Sequence, residues 1–335
     1  MKEAVVGPGP KVEIIDSPIP KPNADQVLIK VIVSGSNPKD WKMPDFANVT
    51  VNQGDDMAGI VEEVGSNVTE FKPGDRVAGF HQFMTPHGSY AEYAISWQHT
   101  TFHIPAKTTF EEAAAIPLAA MTAAVGLYIW LGLPQPWTPA TEPTPLIIYG
   151  AASAVGAYAV QFAVRSNIHP LICVAGKSQP YVETLIDRSK GDVVIDYREG
   201  DDAVVEALKK AAGGSKLLYA FDAVSENSSY VNLSKVLGEG SKINLVLPAR
   251  DFEFPSHISH SMTLVGSVHT KEKDFGHVYF RYIARGLQEG WFKPQPQQVV
   301  PGGLGGIQEG LDLLKAGKAN AIKYVFRIPD TEGVE

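Results

Sequence analysis

Two rhythms of apolar and polar residues divide this chain of 335 residues. Up to about residue 105 the apolar runs are short and broken by Pro, Gly and Asn clusters, which predicts strands at 27–34, 58–64, 76–80 and 90–95. From about 146 to 268 apolar runs at 146–149, 171–175, 193–196, 218–222, 243–247 and 263–268 alternate with amphipathic helical segments. That alternation predicts an α/β architecture with a doubly wound parallel sheet. The remainder, 276–335, predicts helices near 279–289 and 307–316 and a closing strand at 323–328, and a Pro-rich connector at 135–145 lies between the two regimes. The uncharged stretch 113–133 has the composition of a membrane span. Pro117, Gly126 and Gly132 interrupt it, however, and a span needs about 20 continuous helical residues, so a buried helix is expected.

The segment 146–164, LIIYGAASAVGAYAVQFAV, carries the most chemistry. It reads as a buried strand, a sharp turn of small residues and a helix of about four turns. A helix that opens directly after a parallel strand presents unpaired N–H groups and the positive end of its dipole, which attract a pyrophosphate. Against the dinucleotide fingerprint G-x-G-x-x-G, the chain has Ala151, Ser153 and Gly156, so only the last glycine is kept. Ser153 can donate its hydroxyl to a phosphate and cap the helix at the same time, while Ala154 and Val155 supply backbone N–H groups.

Composition narrows the function classes. With 29 basic and 37 acidic residues the net charge is −8, and no Lys/Arg cluster stands out, which disfavours a nucleic-acid partner. One cysteine, Cys173, excludes an internal disulfide framework and any multi-cysteine zinc site. The first residues, MKEAVVGPGPKVEII, place charge and Gly/Pro before any apolar run, so no secretory signal is expected and a cytoplasmic location is.

Six blocks in order, VLIKVIVSGSNPKDWK (27–42), GDDMAGIVEEVGSNVTEFKPGDRVAG (54–79), GSYAEYA (88–94), EEAAAIPLAAMTAAVGL (111–127), IIYGAASAVGAYAVQFA (147–163) and VVIDY (193–197), resemble the medium-chain dehydrogenases/reductases. NPKDW in place of a cysteine motif resembles the zinc-independent branch, which holds quinone oxidoreductases and fungal trans-acting enoyl reductases. The resemblance implies a discontinuous GroES-like, β-rich catalytic domain, 1–120 with 273–335, and a Rossmann domain at 121–272 that binds NADP. Where the zinc enzymes have a cysteine and a His-Glu pair, this chain has Asn37 and Gly54-Asp55-Asp56, so no metal is expected. Asp55-Asp56 as a cation site and the HxxH pair His257 and His260 both lack further ligands at regular spacing.

The second Rossmann strand ends Gly176-Lys177-Ser178, without the carboxylate that accepts hydrogen bonds from a free ribose 2′-hydroxyl. Lys177 and a hydroxyl suit a 2′-phosphate, so NADPH is the expected cofactor. The resemblance adds Tyr197 beside the adenosine, Leu247, Pro248, Ser267 and Val268 along the nicotinamide ribose and ring, Lys323 as a cofactor contact, and Asn37, Pro38, Lys39 and Asp40 as further cofactor-lining residues.

Without a metal to polarise an alcohol or ketone, and with no evident Tyr-x-x-x-Lys pair, simple alcohol oxidation is disfavoured. Hydride delivery to an activated C=C asks only for hydrogen-bond donors to the resulting enolate and for a proton. Asn37 and Lys42 are the candidate catalytic residues: the amide as donor to a substrate oxygen, the lysine as orienting group or proton source. NADPH-dependent reduction of an α,β-unsaturated carbonyl or enoyl thioester is the leading expectation. A quinone oxidoreductase, or a cofactor-binding protein with little turnover, is the alternative. The expected partner is a small-molecule substrate, free or carrier-bound, with no nucleic acid or membrane. Monomer and homodimer both remain open.

Overall fold

The computed structural model describes residues 1–334. They form two compact units, one built from Met1–Leu118 and the chain from Gly266 onward, the other from Ala119–Val265.

In the first unit a hairpin pairs Lys2–Gly7 with Lys11–Asp16. A seven-stranded sheet runs in the order Gln297–Val299, Lys323–Arg327, Gln26–Gly35, Asp56–Val64, Arg76–Phe80 and Thr101–His103, with Tyr93–Trp97 also paired to Gln26–Gly35. Val27, Ile29 and Val31 alternate along the central strand and pack with Met57, Val61, Val77 and Phe326 in one apolar core. Register then decides what meets at the strand's end. Gly35 lies opposite both Asp56 and Val325, so the residues that follow it emerge between the start of one neighbour and the start of the other.

The second unit carries six parallel strands in the order Val193–Asp196, Leu171–Ala175, Leu146–Tyr149, Tyr219–Asp222, Ser241–Leu245 and Ile258–Met262. In chain order this is 3-2-1-4-5-6, the dinucleotide-binding arrangement, whose ligand crevice lies at the strands' carboxyl ends where the order reverses. Leu146–Tyr149 is buried at every position, as a strand covered on both faces must be.

Two expectations shift. The sixth strand is Ile258–Met262 and not 263–268, and Val265–His269 forms a 3-10 turn. The strand lies at the sheet edge, where Ser259 and His260 are exposed, so it has no apolar run by which to be found. The two histidines are used locally: His260 stacks on Phe254 at 4.6 Å, and His257 Nε2 lies 3.3 Å from the Leu237 carbonyl. The apolar stretch 113–133 is broken into the end of helix Phe110–Ala114, helix Pro117–Ala124 and a π-helical turn Val125–Trp130, with Pro117 in the first position where its missing N–H costs nothing. No helix among the described residues is long and apolar enough to cross a membrane.

Candidate functional site

Four residues separate the end of strand Leu146–Tyr149 from the start of helix Ala154–Arg165. Ser153 is its N-cap, with extended backbone, and its Oγ accepts from the Gly156 N–H at 3.0 Å. The hydroxyl proton is left to donate elsewhere. A Cβ at Gly156 would sit 2.2 Å from the Gly150 carbonyl, so the glycine retained from the fingerprint is the one that lets helix and turn close on each other. Residues 152–155 remain half-buried, and the first N–H groups of an α-helix have no intrahelical acceptor. This open, N–H-lined turn fits the pyrophosphate of a dinucleotide.

At the adjacent strand end, Gly176 and Tyr197 are in contact: a Cβ at position 176 would lie 2.7 Å from the Tyr197 ring, which is half exposed. Lys177 is exposed beside them. Asp196 is clamped by Arg198, with Nε–Oδ1 at 2.9 Å and Nη2–Oδ2 at 2.5 Å, and by Gln179 Nε2 at 2.8 Å. The Arg198 hydrogen bonds hold the Asp196 carboxyl down at about 2. Arg198, next to Tyr197, is a second cation at this end of the sheet that pattern reading passed over.

In the first unit Asn37 sits in the gap left by the register at Gly35 and is buried. Its Nδ2 donates to Asp56 Oδ2 at 2.9 Å, and its Oδ1 accepts from Lys323 Nζ at 3.1 Å. Lys323 also pairs with Asp56 Oδ2, while Asp56 Oδ1 accepts the Leu118 N–H at 2.6 Å. A lysine only donates and a carboxylate only accepts, so the amide can face its partners in one sense only. One N–H of Nδ2 is committed to Asp56 and the second is left over.

A second buried cluster follows at once. Lys39 Nζ lies 2.5 Å from Asp55 Oδ2, 3.0 Å from Asp40 Oδ1 and 2.5 Å from the Gln53 carbonyl. Asp55 Oδ1 meets His81 Nδ1 at 2.9 Å, and Asp40 Oδ2 accepts from the Tyr90 hydroxyl and the Asn37 N–H, each at 2.7 Å. Burial pushes the Asp40 carboxyl up to about 6 despite Lys39 and Tyr90. Burial also works against charge on Asp55, but the Lys39 ammonium and His81 outweigh it and hold that carboxyl below the usual range. Through the Asn37 N–H, Asp40 pins the start of the Asn37 loop. The signal in the sequence was the adjacent pair Asp55-Asp56 at the mouth of an apolar strand, matched by Lys39 and Lys323.

The other expected residues are dispersed. Pro38 is exposed, and Lys42 lies on helix Lys39–Ala47 with its ammonium 5.4 Å from the centre of the Trp41 ring. Leu247 is half-buried and Pro248 exposed, both just past strand Ser241–Leu245 in the second unit. Ser267 and Val268 belong to the first unit, where Val268 is buried and its carbonyl accepts from His99 Nε2 at 3.1 Å.

Comparison with known proteins agrees with this anatomy. Residues 23–106 match the alcohol dehydrogenase GroES-like domain. A trans-enoyl reductase of Gibberella fujikuroi is 54% identical over 308 residues, spanning 90% of this chain and 91% of its own. A trans-enoyl reductase of Aspergillus sclerotiorum is 31% identical over 361 residues, spanning 96% and 98%. The solved structure of a Rhizobium etli protein assigned to the zinc-dependent alcohol dehydrogenases superposes with a TM-score of 0.84 at 23% identity, covering 97% of this chain and 98% of that one, a likeness of fold. The chain is thus an oxidoreductase of the medium-chain dehydrogenase/reductase superfamily and belongs to its trans-enoyl reductase branch.

Proposed function

We propose that the protein is an NADPH-dependent, zinc-free reductase of activated C=C bonds, with α,β-unsaturated thioesters as its substrate class. The observation that carries this reading is the 54% identity to a trans-enoyl reductase across nine-tenths of the chain. The bound nicotinamide cofactor supplies the hydride.

The chain's own residues do the rest. Ala154 and Val155 N–H groups and the Ser153 hydroxyl hold the pyrophosphate; Gly176 and Tyr197 flank the adenosine; Lys177 meets the 2′-phosphate. Leu247, Pro248, Ser267 and Val268 are assigned to the nicotinamide ribose and ring, and Pro38, Lys39 and Asp40 shape the loop that carries Asn37. The unspent Nδ2 hydrogen of Asn37 donates to the substrate carbonyl oxygen as negative charge builds there, at an angle set in advance by Lys323 and Asp56. Lys323 acts through Asn37, its ammonium being held by Asn37 and Asp56. Lys42 orients the substrate or supplies the proton. Zinc independence is supported by the donor set at the positions of the metal ligands. There an amide and two carboxylates replace thiolate and imidazole, and their oxygens point at the ammonium groups of Lys323 and Lys39.

The test is single-turnover oxidation of enzyme-bound NADPH, followed by absorbance, with an enoyl thioester in one arm and a quinone in the other. Rapid oxidation by the thioester, lost in Asn37→Ala with NADPH affinity retained, is the expected result. Oxidation by the quinone alone would transfer the protein to the quinone reductases. Bound NADPH that neither acceptor oxidises would refute the catalytic reading.

A further inference from the structure

Asp222 ends the fourth strand of the parallel sheet directly opposite Tyr149 of the first, at the point where the strand order reverses. It is completely buried and takes no part in the chemistry described above. Its Oδ1 accepts the N–H groups of Val224 at 3.0 Å and Ser225 at 2.8 Å, and its Oδ2 accepts the Ser229 hydroxyl at 2.6 Å. One carboxylate thus fastens the whole loop that follows it.

The loop is strained. Ser225, Asn227 and Ser228 have φ of 55°, 53° and 65°, three non-glycine residues in the left-handed region within four positions. Such conformations persist where the surroundings over-determine them, and they gather at ligand clamps. What the loop touches is specific. The Val224 side chain lies against Gly150, where a Cβ would come within 2.4 Å of Val224 Cγ2, so the valine abuts the phosphate turn. On the other side the Ser225 hydroxyl donates to the Asp222 carbonyl at 3.0 Å and accepts the Val246 N–H at 2.9 Å, immediately before Leu247 and Pro248.

We propose that Asp222 and Ser225 are positioning residues for the dinucleotide: together they set the spacing between the phosphate turn at Gly150 and the segment carrying Leu247 and Pro248, and so the fit of the pyrophosphate and nicotinamide half of the cofactor. The proposal rests on the dinucleotide reading of the second unit. It concerns one half of the ligand only. The adenosine end, at Gly176 and Tyr197, lies on the far side of the first strand from this loop.

Fluorescence titration of the full-length protein with NADPH and with adenosine 2′,5′-bisphosphate, which keeps the adenosine half with its nearer phosphate and lacks the second phosphate and the nicotinamide ribose, tests this. Ser225→Ala removes one oxygen and leaves every hydrogen bond to the Asp222 carboxylate in place. It loses the bonds to the Asp222 carbonyl and from the Val246 N–H, and should weaken NADPH about tenfold while leaving the bisphosphate within about twofold. Asp222→Asn keeps an Oδ1 acceptor for the two N–H groups and an Nδ2 donor for Ser229, and should hold NADPH within about threefold of wild type. Ser225→Ala that binds NADPH like wild type would overturn the proposal. Equal loss of both ligands would overturn it as well, since that marks a general loosening of the unit. Wild-type protein that binds neither NADPH nor NADH would overturn the cofactor reading along with it.

Discussion

Replacing Lys323 with methionine removes an ammonium and keeps most of the side chain's volume. Lys323 and Asp56 are both buried, with side chains 3% and 0% exposed, so Asp56 Oδ2 would keep only the Asn37 amide as partner. Stranding one charge of a buried pair costs about 3–5 kcal/mol, because desolvation has been suffered without the Coulombic return. The unit that carries the pair has roughly 190 residues, for which 1 kcal/mol moves the midpoint by about 2–4 °C, so Lys323→Met should melt roughly 6–20 °C lower. The double variant Asp56→Asn with Lys323→Met strands no charge and should regain much of that loss. Differential scanning calorimetry of wild type, both single variants and the double variant gives the coupling energy directly. With the ammonium gone, Asn37 Oδ1 loses its donor and the amide is held by its bond to Asp56 alone, so turnover measured well below the melting point should fall by about tenfold. A single variant melting within about 2 °C of wild type, or a double variant no more stable than the worse single, would refute the reasoning.

Ser153→Ala removes the N-cap of the phosphate-side helix; a loss of about 1 kcal/mol in unfolding free energy and weaker NADPH binding are expected, and unchanged affinity would confine the hydroxyl to capping. Lys177→Ala should weaken NADPH far more than NADH in parallel titrations, whereas equal losses would remove it from recognition of the 2′-phosphate. Burial holds the His269 imidazole neutral down to about pH 4, against about 6.5 in an unfolded chain. The unfolded chain therefore takes up the proton first, and the stability this group contributes is complete above pH 6.5 and is lost as the pH falls toward 4. His269→Gln should flatten the melting curve against pH across that window, and an unaltered slope would show that the ring does not titrate there. His99, lowered to about 4 chiefly by burial and next by its neighbour His269, adds a contribution of the same sign that is coupled to the first.

By itself the sequence determined what depends on neighbours along the chain. Apolar runs separated by helical periodicity were enough for the parallel sheet, because every interior strand is covered on both faces. Small residues between Tyr149 and Gly156 were enough for the sharp turn from strand to helix, because strand, turn and helix are contiguous. The edge strand Ile258–Met262 escaped because a half-covered strand needs no apolar run. What only the tertiary structure decided is charge pairing across distance. Asn37, Asp56 and Lys323 meet through the register of three strands, two of them separated by most of the chain. Asp222 differs in having its partners within seven positions, in a left-handed loop whose conformation, and not any residue pattern, makes it an organising group. Pattern reading sees a surface lysine, a polar turn and a strand ending in aspartate; a side chain buried by residues hundreds of positions away leaves no periodic trace, since nothing in its own vicinity is constrained.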